Sequence, residues 1–142
     1  MHLQTHPGQR LVVLSGDIHA GWAVKLIDPK ADEQNPAQVP GPPIMQFVSS
    51  AVTNGDSWVV GTLSEALLQA SKVLSSSIVG LKVENIPGTN GRNANPFGGL
   101  NIGIVEVEKS AEGGVSVRFE LVSRGKNEAS GQPVVVFDSG PL

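Results

Sequence analysis

The sequence contains no cysteine among its 142 residues. Composition therefore excludes disulfide bonds, zinc sites built on thiolates and a cysteine nucleophile. Any bound metal must use histidine, carboxylate or amide ligands, and 3 histidines and 13 acidic residues are present. The absence of cysteine is compatible with the cytoplasm, the periplasm or secretion, so it leaves the compartment open.

Clustered basic residues and long apolar runs are also missing. The chain has 10 Lys and Arg against 13 Asp and Glu, a net charge of -3, and no two basic residues are adjacent. Nucleic-acid and anionic membrane surfaces need such clusters, so neither is an expected partner. No stretch approaches the ~18 apolar residues of a transmembrane helix, and the polar amino terminus lacks the features of a signal peptide. We expect a soluble protein with a single domain over residues 1–142.

Short apolar runs separated by turn residues predict a chain rich in strands. The run at residues 11–14 stops at Ser-Gly, which is typical of a strand buried on both faces in a partly parallel sheet. Strict alternation at residues 115–122 predicts the second strand of a hairpin with one solvated face. The other predicted strands cover residues 22–27, 44–48, 101–108 and 134–137.

One segment has helical periodicity. Within residues 57–74, apolar side chains recur at spacings of three and four, which predicts an amphipathic helix packed on a sheet. The expected fold is therefore α/β but rich in β structure, a mixed-sheet sandwich with one long helix.

Two segments have the composition of loops. Residues 28–43 include five prolines and predict an exposed excursion. Residues 85–99 are dominated by Asn, Gly and Pro. Long loops of this kind are often functional, although a solvated insertion explains the same composition.

The most chemically suggestive stretch is residues 11–22, Leu-Val-Val-Leu-Ser-Gly-Asp-Ile-His-Ala-Gly-Trp. It sets Asp17 and His19 after a strand, at the end where α/β sheets commonly bind ligands. A carboxylate and an imidazole two residues apart suit Fe, Mn, Zn or a mixed two-metal site. The spacing alone equally allows Asp17 to cap a turn and His19 to be a partly buried histidine with ordinary hydrogen bonds.

This stretch resembles the last metal-binding block of the PhoD-like (alkaline phosphatase D type) branch of the calcineurin-like metallophosphoesterases. In that family a hydrophobic strand ends in Ser-Gly-Asp-x-His. The serine-rich segment at residues 48–50 and the strand at residues 99–107 are similar to later parts of the family pattern. The fold implied is the carboxyl-terminal half of a four-layer αββα domain.

The resemblance implies a binuclear metal-dependent phosphatase or phosphodiesterase that hydrolyses phosphate esters, with Asp17 and His19 as metal ligands. The metal could be Fe, Mn, Zn or Ca. The family's earlier blocks, Asp-x-His, Gly-Asp-x-x-Asp and Gly-Asn-His-Glu, are absent from this sequence. We therefore expect a segment of a larger phosphatase domain, whose remaining part is its partner, and an isolated chain that binds metal weakly without turnover.

Two further residues are candidates for substrate binding. Trp22 could form a pocket wall, and Arg92 could hold a phosphate through its guanidinium group. A core or rim tryptophan and a solvated loop arginine are the ordinary explanations. An alternative function for the whole chain is a non-catalytic, β-rich binding or interaction module without a metal centre.

Overall fold

The computed structural model describes residues 10–16, 20–27, 43–49, 66, 69–70, 82–89, 94–109, 113–124 and 132–142. These ranges form two β-sheets, one with four strands in the order β1-β3-β2-β4 and one with three in the order β5-β6-β7. The strands are β1 (Val12–Ser15), β2 (Trp22–Ile27), β3 (Ile44–Val48), β4 (Lys82–Asn85), β5 (Ile102–Lys109), β6 (Val115–Arg124) and β7 (Pro133–Asp138).

The first sheet is mixed. Strand β1 pairs in parallel with β3, and β2 pairs antiparallel with both β3 and β4. Ser15 of β1 and Trp22 of β2 both lie in register with Val48 of β3. The carboxyl ends of β1 and β3 and the start of β2 therefore meet at one edge of this sheet.

The second sheet is an antiparallel meander, with a register shift between Leu121 and Val122 where β6 pairs with β7. Alternate residues of β6 are buried, which agrees with the alternation predicted from the sequence. One face of the hairpin packs inward, and the other carries Arg118, Glu120 and Glu106 together with the exposed Ile102 and Ile104.

The inner faces of the two sheets pack together into one core. Phe47 of β3 stacks on Phe119 of β6, with ring centroids 4.6 Å apart and an interplanar angle of 4°, and Phe137 of β7 lies 6.2 Å from Phe119. Burial of each such side chain contributes about 1.5–3 kcal/mol to folding. The buried members of the core are Ala23, Met45, Phe47, Ile86, Val117, Phe119, Leu121 and Phe137.

The predicted α/β architecture with one long helix is wrong for the described part of the chain, which consists of seven strands and has no helical element. Of the predicted helix at residues 57–74, only residues 66, 69 and 70 are described, with helical backbone, and the rest lies outside the described residues. The physical reason is that the inner faces of the two sheets pack directly on each other, so no helix of the described residues contributes to the core between them.

The prediction for β1 is half right. Its parallel pairing with β3 is confirmed, but it is a terminal strand instead of an interior one. Val13 is 38% exposed and Leu14 is 63% exposed, so β1 is not buried on both faces. The apolar run at residues 11–14 predicts a strand. It does not predict how many other strands pair with that strand in the sheet.

The other predicted strands are confirmed with small changes in their ends. Strand β4 was not predicted, because its four residues contain a single strongly apolar side chain. It brings Asn85 into the sheet, so the predicted loop at residues 85–99 begins at the end of a strand. The predicted excursion at residues 28–43 lies outside the described residues except for its last residue.

Candidate functional site at the carboxyl end of β1

The edge where β1 and β3 end is held by short polar contacts. The Ser49 backbone N–H donates to the Ser15 carbonyl at 3.2 Å, which extends the parallel pairing one residue past β3. The Gln46 side-chain amide donates to the Ser15 hydroxyl at 3.1 Å. The chain therefore leaves β1 at Gly16 from a defined position at this edge.

The predicted metal ligands Asp17 and His19 lie outside the described residues, as does Arg92. The residues on either side of residues 17–19 are described. Gly16 follows the end of β1, and Ala20, which is fully buried, precedes β2. The metal assignment of Asp17 and His19 and the phosphate role of Arg92 stay predictions.

Two glycines permit close packing behind this edge. A Cβ atom at Gly21 would lie 2.6 Å from the Leu121 side chain, and one at Gly103 would lie 2.7 Å from the Ser49 Cβ. Larger residues at either position would push the two sheets apart, because distances this short are repulsive. The small residues thus allow β5 and β6 to approach the carboxyl end of β3.

A hydrogen-bonded pair of side chains connects the two sheets at this point. The Ser49 hydroxyl donates to the Asn101 Oδ1 at 3.0 Å, and the Asn101 side-chain amide donates to the Gly99 carbonyl at 2.8 Å. Asn101 is 2% exposed. Because both oxygens already take part in this network, they are poorly suited to serve as metal ligands. In the described structure, these hydrogen bonds hold the end of β3 and the start of β5 together.

The segment at residues 94–100 is fastened to β2 by Asn95, which is buried. The Ala23 N–H donates to Asn95 Oδ1 at 2.9 Å, and the Asn95 amide donates to the carbonyls of Ala23 at 2.7 Å and Ile86 at 2.8 Å. The amide oxygen and both N–H groups of the amide nitrogen are thereby engaged. The Asn95–Pro96 peptide bond is cis.

A second contact joins the same segment to the start of β2. The backbone N–H groups of Gly21 and Phe97 each donate to the other residue's carbonyl at 2.8 Å. Gly21, the residue after Ala20, is therefore bound on the side of β2 that faces away from β3. Gly16 and Gly21 hold the two ends of the stretch that contains Asp17 and His19.

Trp22, predicted as a possible pocket wall, is buried at 7% exposure and packs with Val24 and Val48. Its indole N–H donates to Asn85 Oδ1 at 2.9 Å, and the Asn85 amide donates to the Asn95 carbonyl at 3.0 Å. The ring therefore contributes to packing on the face of the first sheet that points away from the main core. Its proposed contact with substrate stays a prediction.

The main cluster of charge in the described ranges lies away from this edge. Arg118 on β6 faces away from the core and makes two hydrogen bonds to Asp138, from Nε at 2.9 Å and from Nη2 at 2.7 Å. Glu120 lies 2.8 Å and Glu106 lies 3.9 Å from the same guanidinium group. Hydrogen bonding from Arg118 holds the pKa of Asp138 below its usual range, and the Gly140 backbone N–H acts in the same direction.

The donor set tests whether these residues fit a metal site. Within the described ranges, no three His, Asp or Glu side chains come together in a way that could hold an ion. Asp17 and His19 supply a carboxylate and an imidazole, which suit Fe, Mn or Zn. The serine and asparagine oxygens nearby are neutral and already hydrogen-bonded. The described residues therefore provide no metal site by themselves, and the metal role of Asp17 and His19 stays a prediction.

Comparison with known proteins returned no relatives: no family model, no curated protein and no solved structure matches this chain. In the described residues, no helix is both long and apolar enough to cross a membrane.

Several of these contacts are not foreseeable from the sequence. Asn95 lies in the segment predicted to be a loop, and Asn101 begins a predicted strand, yet both are buried and each binds a partner distant in the sequence. The available signal was the excess of Asn over charged residues in residues 85–99, since amides can be buried at lower cost than charges when they are hydrogen-bonded. That signal does not identify the partners.

Proposed function

We propose that this chain is a segment of a binuclear metal-dependent phosphatase or phosphodiesterase, in which Asp17 and His19 are ligands to the metal ions. The observation that carries the proposal is the parallel pairing of β1 with β3, whose carboxyl ends lie together immediately before Asp17. Because the two strands run parallel, residues that follow their carboxyl ends leave the sheet at the same end, as in the parallel sheets that bind ligands there.

The rest of the site comes from the remaining part of the phosphatase domain, which supplies the other ligands. When bound, Fe, Mn, Zn or Ca ions neutralise charge on the phosphate ester and activate water for its hydrolysis. Of this chain's own residues, Asp17 and His19 bind and orient the ions. Arg92 pairs with the phosphate, and Trp22 forms a wall of the substrate pocket. We expect the protein to act in solution.

Hydrolysis of a chromogenic phosphodiester tests the proposal. The chain alone, supplied with Mn, Fe, Zn or Ca, should show no turnover, because two ligands do not form a binuclear site. Joined to a segment that carries Asp-x-His and Asn-His blocks, it should turn over, and Asp17→Asn should abolish that activity. Glu108→Gln, on the exposed edge strand β5, is the matched control and should leave it unchanged. Robust turnover by the chain alone would contradict the proposed dependence on a second segment.

A non-catalytic, β-rich binding module is the second candidate. It is favoured by the core of the described residues, in which the inner faces of the two sheets cover each other. This alternative predicts a cooperatively folded protein that takes up no metal selectively, whereas the phosphatase segment loses metal binding when Asp17 or His19 is replaced.

A further inference from the structure

Among the described strands, β1 is the terminal strand of the first sheet, and no described strand lies beside its outer edge. Its exposed side chains are apolar and include Leu11 at 42%, Val13 at 38% and Leu14 at 63%. Edge strands of soluble proteins are usually protected by charge, proline, a bulge or a covering segment. The stretch between Arg10 and Asp17 contains neither a charged residue nor a proline.

The direction of the free main-chain groups follows from the bonds that β1 makes with β3. The carbonyls of Leu11 and Ser15 accept hydrogen bonds from Met45 N–H at 3.0 Å and from Ser49 N–H at 3.2 Å. In a parallel ladder, the N–H and C=O of one residue point to the same side, and successive residues alternate. Val12 and Leu14 therefore direct their N–H and C=O groups away from β3, towards the free edge.

We propose that a second copy of this chain pairs antiparallel with β1 along this edge, about a two-fold axis at Val13. In this register Val12 of each copy lies opposite Leu14 of the other, and Val13 faces its own counterpart. The four outward N–H groups and four outward C=O groups of Val12 and Leu14 then make four main-chain hydrogen bonds. Joining the edges places both four-stranded sheets in one continuous sheet.

The side chains select this register over its neighbours. A shift of two residues in one direction sets Leu14 against Arg10, and a shift in the other direction sets Val12 against Gly16. Only the register centred on Val13 gives each of Val12, Val13 and Leu14 an apolar residue opposite. Cross-strand apolar pairs of this kind stabilise sheets, whereas a charge opposite Leu14 does not.

Charge also favours a second copy as the occupant. Pairing residues 11–16 with themselves buries no charged side chain, because none occurs in that stretch. At each end, Arg10 of one copy lies opposite the uncharged Gly16 of the other, so this register sets no like charges against each other. A closed two-fold contact also uses up both free β1 edges, so it ends at a dimer and does not propagate.

The pairing is independent of the proposed function. In a completed phosphatase, the same edge is available to the remaining part of the domain, so the dimer concerns the present chain by itself. Because it needs no metal, it can be tested in the presence of a chelator. Failure of the dimer leaves the metal proposal standing, and failure of metal binding leaves the dimer standing.

Sedimentation velocity of the metal-free chain tests the proposal. We expect a dimer that Val13→Lys converts to a monomer, because two lysines would face each other across the axis. The matched control is Val107→Lys, at a valine 67% exposed on edge strand β5 of the other sheet, and this variant should remain dimeric. A monomeric parent chain, or a dimer that only the control disrupts, overturns the proposal.

Leu14→Pro provides a second test that acts on the main chain. It removes an N–H that points to the free edge and leaves the bonds between β1 and β3 in place, so circular dichroism should report an intact fold. Loss of one hydrogen bond per copy should weaken the dimer about tenfold or more. If the variant is folded and dimerises as strongly as the parent chain, the proposal is overturned. It is also overturned if the parent chain is a monomer and its β1 pairs with an unrelated polypeptide.

Discussion

Arg118 and Asp138 form the best-defined ion pair of the described residues, through two nearly parallel hydrogen bonds. Hydrogen bonding to Asp138 raises the pKa of Arg118 above its already high value, and the negative charges of Asp138, Glu120 and Glu106 act in the same direction. Asp138 accepts a third bond from the Gly140 N–H at 2.8 Å. This network joins β6 to β7 on the face that points away from the core.

The Asp138 carboxyl group makes stability depend on pH. Because its pKa is lower in the folded than in the unfolded chain, it contributes stability above its unfolded pKa and loses that contribution as the pH falls through the folded value. The parent chain should therefore lose more stability between about pH 6 and about pH 3 than Asp138→Asn does. Urea unfolding across this range measures the difference. Equal acid sensitivity in the two proteins would show that the ion pair contributes nothing.

At the scale of elements, the segment at residues 94–100 behaves as a part of the first sheet. Asn95 serves as a side-chain partner for Ala23 of β2 and for Ile86, which follows β4. The pairing of Gly21 with Phe97 adds a backbone link beside it. A stretch with the composition of a loop is thus tied to the strand that begins just after the candidate site.

Asn95→Ala should weaken this attachment strongly. The change leaves the Ala23 N–H and the carbonyls of Ala23 and Ile86 without their side-chain partner, at an expected cost of about 2–4 kcal/mol in the free energy of unfolding. Leu100→Ala, at an exposed residue in the same segment, is the control and should change it by less than about 0.5 kcal/mol. Urea denaturation measures both. Similar values for the two variants would show that the buried amide does not hold the segment.

The elements also show how far the sequence predicts the fold. The alternation at residues 115–122 gives β6 and its buried face, because burial on a pleated strand follows the local pattern. The exposure of β1 and the pairing of β4 depend on which strands become neighbours, and neither is encoded locally. The helical spacing at residues 57–74 is a local preference, and it predicts no element of the described sandwich.

At the candidate site, the sequence predicts the ligand types, which stay a prediction, and the strand that precedes them, which is confirmed. It could not supply the support around them. Gly21 and Asn101 matter through contacts with Leu121 and Ser49, residues far away in the chain. Such contacts arise from the packing of one sheet on the other, which no spacing within the sequence specifies.

For the whole molecule, the described fold is a two-sheet sandwich. Polar contacts lie at the carboxyl ends of β1 and β3, and the apolar strand β1 is the last described strand on one side of the first sheet. The polar edge, where β1 and β3 end, is the proposed position of a shared metal site. The free side of β1 is the proposed dimer contact. The two proposals concern different atoms of one strand: the residues that follow its carboxyl end and the main-chain groups along its free side.

Calorimetric titration of the purified chain with Mn and Zn tests whether Asp17 and His19 bind metal. We expect weak binding that is abolished by Asp17→Asn and by His19→Ala. His6→Ala removes an imidazole from the polar amino terminus and serves as the matched control, so its binding should equal that of the parent chain. No binding by the parent chain, or binding that survives both site variants and disappears with His6→Ala, would contradict the metal assignment.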